Sequence, residues 1–336
     1  MTGLGGGTPL LEITDLRVEL PHRTGGMLPA VDGVDLVVDR GEVLGVAGES
    51  GSGKTMTALA TLGLLPHGAR TSGSIRLAGR ELLGLRDREL RDVRGREIAM
   101  VAQDPRTALH PMLTVERQLT EHLRHHHGLG RRAARAEAEE LLEQVRIPDP
   151  GKALGRYPHE FSGGMRQRIA IASALAGRPE LLIADEPTTA LDVTVQAGIL
   201  RLLDRLRRER GLAVVIITHD LGVLSSLADR LVVMYAGRVV ETGSTAEVLT
   251  AARHPYTRGL LDALPEGGTA TMRPIPGSPP ALGAVPPGCP FHPRCPHAQP
   301  SCRESVPPLL QIGRPGRLSA CPVDPYAPAA ALEGIR

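Results

Sequence analysis

After a Gly-rich start over residues 1–8, the chain settles into short runs of apolar and polar positions. Leu11–Leu20, Pro29–Val38 and Glu42–Ala47 read as strands, with a turn at Asp39-Arg40-Gly41. Within the third run, Val43-Leu44-Gly45-Val46-Ala47 is continuously apolar, the pattern of a strand buried on both faces. It leads directly into a glycine-rich loop and a helical stretch, Thr55–Leu65. In Arg131–Val145, Leu141, Leu142 and Val145 recur at helical spacing on a charged background. Two more continuous apolar runs, Leu181–Ala184 and Ala213–Thr218, flank an amphipathic helix over Val195–Arg208. Strands alternating with helices predict an α/β fold with a mostly parallel sheet. The pattern stops near Leu264. Residues 264–336 hold 17 of the 29 prolines and little apolar periodicity, so this tail is expected to be disordered or stapled by something other than a core. No internal repeat is present.

Charge and composition narrow the function. A net charge of +2 over 336 residues disfavours an electrostatic nucleic-acid binder. Met1–Leu20 lacks a basic segment followed by an apolar run, and the longest apolar runs are far too short to cross a bilayer. The chain is therefore expected to be soluble and cytoplasmic. Of 39 basic residues only two, Lys54 and Lys152, are lysine, so a lysine here invites a chemical reason. Aromatics are scarce, with no Trp and two Phe. All four cysteines fall in the last 48 residues.

The chemistry concentrates first at Gly48-Glu49-Ser50-Gly51-Ser52-Gly53-Lys54-Thr55, which fits G-x-x-x-x-G-K-[ST] between a buried strand and a helix. Glycines let backbone N–H groups curl around phosphate oxygens, and the helix N-terminus adds a favourable dipole. Lys54 is expected to reach the β/γ-phosphates and Thr55 to ligate Mg²⁺. Downstream, Leu181-Leu182-Ile183-Ala184-Asp185-Glu186 ends a buried strand in two carboxylates, where an open α/β sheet faces its ligand. Asp185 suits Mg²⁺, and Glu186 suits orienting or deprotonating an attacking water.

With Ser162-Gly163-Gly164-Met165-Arg166-Gln167 added, the chain resembles the nucleotide-binding subunits of ATP-binding-cassette (ABC) transporters. That tetrad resembles the family signature, which binds the γ-phosphate held by an opposite cassette. Gln103 matches the family's Q-loop, Thr189-Ala190-Leu191-Asp192 its D-loop and His219 its switch histidine, in order over residues 10–250. The resemblance implies a P-loop NTPase (RecA-like) core with an N-terminal antiparallel β subdomain and an inserted helical subdomain carrying the signature. The expected boundaries are a disordered N-terminus at 1–9, the ATPase domain at 10–252 with its helical subdomain near 104–175, and a Cys/Pro-rich C-terminal extension at 253–336. It also implies ATP and Mg²⁺ as ligands, with Gly48, Ser50, Gly51, Ser52, Gly53, Lys54, Thr55, Asp185, Ser162, Gly163, Gly164 and Asp192 binding them. Gln103 would join Thr55 and Asp185 on Mg²⁺, and Glu186, His219 and Gln103 would be catalytic. One position departs from the family pattern: Val18–Gly26 offers no aromatic for adenine, only Leu20 or His22.

A closer resemblance is to the oligopeptide/dipeptide importer ATPases of D type. It is carried by Phe161–Arg168, Asp185–Gln196, Met234-Tyr235-Ala236-Gly237 and His254-Pro255-Tyr256-Thr257. It implies an F-type sister ATPase forming a heterodimer, two transmembrane permeases, a peptide-binding protein met through them, and a peripheral place on the cytoplasmic face of the membrane. Solute choice would lie in other subunits, with nickel or glutathione as alternative cargoes. The competing class is a non-transport ABC ATPase acting on nucleic acid or ribosomes; a single cassette without a coiled-coil or zinc insertion speaks against it.

Cys289-x₅-Cys295-x₆-Cys302-x₁₈-Cys321 completes the inventory. Disulfides are unusual in a reducing compartment, and four thiolates suit Zn²⁺ or an iron–sulfur cubane. Structural zinc favours C-x₂₋₄-C chelates, and every gap here is wider. The D-type resemblance likewise implies a [4Fe-4S] cluster on Cys289, Cys295, Cys302 and Cys321, with Zn²⁺ as the alternative and order in the tail supplied by the metal. His292 and His297 are substitute ligands, and His125-His126-His127 reads as a solvated loop.

Overall fold

The computed structural model describes residues 8–22, 24–104, 108–189, 191–264 and 274–326. The chain divides into two compact units, Met1–Val37 with Leu44–Leu83 and Thr218–Arg336, and Val38–Val43 with Gly84–Ile217. Most of the expected disordered N-terminus at 1–9 lies outside the described residues.

The first unit holds two sheets. One is antiparallel, in the order β2 (Met27–Val38), β1 (Leu11–Pro21), β4 (Arg70–Leu77), β5 (Arg80–Glu81). β1 and β4 pair from Leu11↔Leu77 to Glu19↔Arg70, with a bulge between Thr14 and Arg17. This is the antiparallel subdomain that the family resemblance implied. The other runs β11 (Leu310–Gln311), β12 (Leu318–Ser319), β10 (Arg238–Ser244), β9 (Arg230–Tyr235), β3 (Val43–Ala47). Here β3 and β9 are parallel and β9–β10–β12–β11 antiparallel. All five residues of β3 and all six of β9 are buried, which is why both are written without a polar alternation.

The second unit carries a parallel ladder of β6 (Ile98–Val101), β7 (Leu181–Asp185) and β8 (Ala213–Thr218). β7 and β8 are buried throughout, as their continuous apolar runs predicted. Its helices stop and start on local chemistry. Thr114 caps Val115–His127, which ends on left-handed Gly128, and Asp192 caps Val193–Arg210, which ends on left-handed Gly211. His125-His126-His127, expected in a loop, form the last turn of the first of these helices, where imidazoles suit the negative end of the helix dipole.

The proline-rich tail also departs from expectation. Residues 274–326 are not a free appendage awaiting a metal: they dock on the first unit through a few specific anchors. β12 extends the sheet, pairing Glu241↔Ser319 and Thr242↔Leu318, and Ala320 N–H donates to Val240 O at 2.8 Å. Glu241, with no exposed surface, accepts from Arg317 Nη2 at 2.6 Å and from the N–H groups of Arg253 and His254 at 2.8 and 3.0 Å. Phe291 is buried against Tyr235 and Tyr256, with ring centroids 5.3 and 5.4 Å away. Apolar residues are few here, so polar contacts of high specificity replace burial.

Candidate functional site

Between β3 and the helix Lys54–Thr61 the chain turns through Gly48–Gly53. At Gly48, φ is 150° and a Cβ would stand 2.3 Å from the Met234 carbonyl oxygen, so only glycine lets the loop pass. Gly237 N–H donates to Ser52 O at 3.0 Å and ties the loop to the β9–β10 hairpin. The helix begins on left-handed Gly53 with no side chain capping its first-turn amides, the arrangement in which an anion serves as the cap. Lys54 is 6% exposed and curls back on its own loop. Its ammonium donates to Gly48 O at 2.7 Å, Glu49 O at 2.8 Å and Ser52 Oγ at 3.2 Å. Ser50, Gly51 and Thr55 are exposed. A constricted glycine, a capless helix start and a buried ammonium make a cradle that fits a chain of phosphates.

In the second unit, Asp185 is buried at the end of β7, and Glu186 follows with φ of 46°, uncommon for a residue with a side chain. Its backbone is fixed by a 2.7 Å bond from Glu186 N–H to Ile217 O. Its carboxylate accepts from Gln103 Nε2 at 3.0 Å and from Thr189 Oγ1 at 2.7 Å. Residues 83 positions apart are thus joined through the Glu186 carboxylate. Ser162 caps the helix Gly163–Leu175, accepting from Met165 N–H at 3.3 Å, with Ser162 and Gly163 exposed. Gly164 needs its missing side chain: a Cβ would meet Val195 Cγ1 at 2.4 Å. The start of the signature helix therefore packs directly on the helix that Asp192 caps, where Asp192 Oδ1 accepts from Val195 N–H at 2.9 Å. Ala190 lies outside the described residues. His219, in the first unit, is exposed just past β8, beside Asp220, which caps the next helix. Of the two candidates for adenine, Leu20 is half-buried, whereas His22 is exposed and bonded to Thr24 Oγ1 at 2.7 Å.

The motifs did not disclose how the extension meets the phosphate loop. Glu49, second in that loop, donates its N–H to Tyr256 Oη at 2.8 Å. Its carboxylate takes a two-pronged bond from Arg294, Nη1 to Oε2 at 2.7 Å and Nη2 to Oε1 at 3.0 Å. Arg294 also donates to Pro276 O at 2.9 Å and to Tyr235 Oη at 3.3 Å. Two of the four tyrosines and one of the two phenylalanines gather here. In so aromatic-poor a chain, that concentration was the available signal. His254 caps Pro255–Asp262 through Nδ1, and complete burial pulls its pKa down to about 3.

The four cysteines line one small pocket with Phe291 and His254. All four thiols are free, and burial raises Cys289 and Cys295 and pushes Cys321 up to about 11. The donor chemistry suits a thiolate-bound metal. The arrangement does not amount to a ligand set: among the described residues no group of three or more His, Cys, Asp or Glu is placed to hold a metal ion. The cavity measures about 10 Å³, room for about one water rather than an eight-atom core. The [4Fe-4S] cluster expected on Cys289, Cys295, Cys302 and Cys321 is not shown by this arrangement. Burial favours the protonated form of Cys289, Cys295 and Cys321.

Residues 31–189 match the family model described as ABC transporter, and residues 240–302 that described as oligopeptide/dipeptide transporter, C-terminal region. The oligopeptide transport ATP-binding protein OppD of Salmonella typhimurium is 49% identical over 314 residues, 93% of each chain. OppD of Haemophilus influenzae is 45% identical over 93% of this chain and 97% of its own. Among solved structures, the dimeric ATP-binding cassette MJ0796 bound to ADP and Pi superposes with a TM-score of 0.62 at 28% identity. It covers 70% of this chain and 98% of that one. Among the described residues no helix is long and apolar enough to cross a membrane.

Proposed function

The chain belongs to the ABC transporter family, in its oligopeptide/dipeptide branch, and from that premise we propose that it hydrolyses ATP to power the import of oligopeptides or dipeptides. The observation that carries this reading is the phosphate cradle of Gly48–Lys54 in a chain that matches OppD over nearly its whole length. Such a subunit works with membrane permeases and a binding protein, and it lies peripherally on the membrane.

Lys54 and the first-turn amides take the phosphates, as the buried ammonium and capless helix favour. Thr55, Asp185 and Gln103 are assigned to Mg²⁺, which offsets charge developing on the phosphate oxygens. Glu186 orients the attacking water and accepts its proton, and Gln103 and Thr189 restrain that carboxylate beforehand. His219 is assigned a contact with the transferred phosphate. Ser162, Gly163 and Gly164, with Asp192, act on a nucleotide held by a second cassette; the exposure of Ser162, Gly163 and Asp192 supports a facing partner. That partner is proposed to be an F-type sister, giving a heterodimer at the cytoplasmic face.

For the tail, the supporting observation is the convergence of Cys289, Cys295, Cys302 and Cys321 on one pocket. We propose that they bind a metal once the pocket opens and the thiols lose their protons, a [4Fe-4S] group or else Zn²⁺. Iron analysis after anaerobic purification decides: about four irons per chain are expected, and stoichiometric zinc without iron overturns the cluster.

The transport reading is tested by reconstituting the chain in vesicles with its sister ATPase and permeases. ATP turnover is expected to rise with peptide-loaded binding protein. Stimulation by nickel or glutathione, and not by peptide, would reassign the cargo.

A further inference from the structure

Glu49 places a carboxylate inside a loop whose ligand is a polyanion. Nothing in phosphate binding calls for that charge, and an uncompensated carboxylate there opposes it. The extension supplies the compensation from 245 residues away: both Oε atoms of Glu49 are forked by Arg294, whose side chain is 6% exposed. A part-buried, two-pronged fork of this kind keeps its geometry better than a single-contact surface pair. Glu49 is also one bond from the reacting end of the loop, because its carbonyl oxygen accepts from Lys54 Nζ at 2.8 Å.

We propose that Arg294, although it lies in the C-terminal extension, serves the nucleotide site by neutralising Glu49, so that docking of the extension sets the affinity of the phosphate loop for ATP. This rests on the reading of Gly48–Lys54 as that site. Arg294 acts through Glu49 and does not itself touch the nucleotide. The extension thereby becomes a determinant of nucleotide affinity, and a cassette whose tail has come away carries an open negative charge beside the triphosphate.

The test is equilibrium binding of ATP with Mg²⁺ to the full-length chain, at low and moderate salt. Arg294→Gln is expected to weaken binding about tenfold at low salt, the order expected for a lost charge-assisted pair, and less as salt screens the exposed carboxylate. Glu49→Gln alone should bind ATP as tightly as the unchanged chain or tighter. Glu49→Gln combined with Arg294→Gln should return affinity to within about twofold of the unchanged chain, because the offending charge is gone. A merely structural Arg294 gives the opposite: the double variant binds no better than Arg294→Gln, with a loss insensitive to salt. Either that pattern or unchanged affinity in Arg294→Gln overturns the proposal. If Arg294→Gln does not fold, Glu49→Gln still decides, since weaker binding in that variant alone contradicts the charge argument. Failure of the unchanged chain to bind ATP would instead overturn the site reading beneath it.

Discussion

β8 and the tail segment 289–321 bury their residues by opposite means. β8 offers Ala213-Val214-Val215-Ile216-Ile217-Thr218, every position buried, and any apolar residue of similar volume would serve nearly as well. Beside Pro290, Phe291 and Ala320, the tail buries two arginines, Arg294 paired with Glu49 and Arg317 paired with Glu241. A core held by area degrades gradually under substitution. A surface held by matched polar pairs fails one pair at a time, because a deserted buried charge costs more than the pair contributed.

The largest effect should come from the chemistry of the second unit. Glu186→Gln is expected to lower turnover roughly 10²–10⁴-fold while ATP still binds, read as phosphate release against equilibrium binding. Near-normal turnover would remove Glu186 from the reaction. Next is the polar seam. Glu241→Ala strands Arg317 and should cost about 3–5 kcal/mol, appearing as protease sensitivity across 274–326. Amides of β7 and β8 should keep their protection against hydrogen exchange; if they lose it equally, the two regions do not differ as described.

A smaller effect is expected from pH. His254 titrates at about 3 in the folded chain, against an ordinary value of 6.5. Between those values the unfolded chain binds the extra proton, so stability is whole above 6.5 and falls as pH drops, by about 1.4 kcal/mol per unit. Burial raises the Glu241 carboxyl, which accepts the His254 N–H and works the other way above 4.5. The reading is therefore the difference between the unchanged chain and His254→Asn from pH 6.5 to 5, measured by denaturant titration. An unchanged slope would mean that His254 does not titrate as buried. Smallest is a local cap. Ser244→Ala, which removes the hydroxyl that accepts from Glu247 N–H at 3.3 Å, should cost about 1 kcal/mol without exposing the tail. A larger loss with tail release would show that the end of β10 belongs to the seam.

What could be read in advance follows the same division. β3, β7 and β8 were legible because burial on both faces leaves a continuous apolar run, and the phosphate loop because its backbone tolerates only particular glycines. The Gln103–Glu186 bond was not legible, since hydrogen bonds across 83 residues leave no periodic trace. The tail was misread for the same cause. Its composition showed how little it could bury, and nothing local showed that Arg317 would find Glu241 or that Arg294 would find Glu49. The cysteine spacing suggested a ligand set, whereas spacing along the chain does not fix where four thiols point.

The way Lys54 is held has a consequence for substitution. Its ammonium satisfies three acceptors grouped around a single point, Gly48 O, Glu49 O and Ser52 Oγ. A planar guanidinium spreads its donors along a fork and cannot converge on such a set. Only two lysines stand among the 39 basic residues of this chain. At position 54 an arginine would meet a geometry it cannot satisfy, so a single substitution there would cost the phosphate seat.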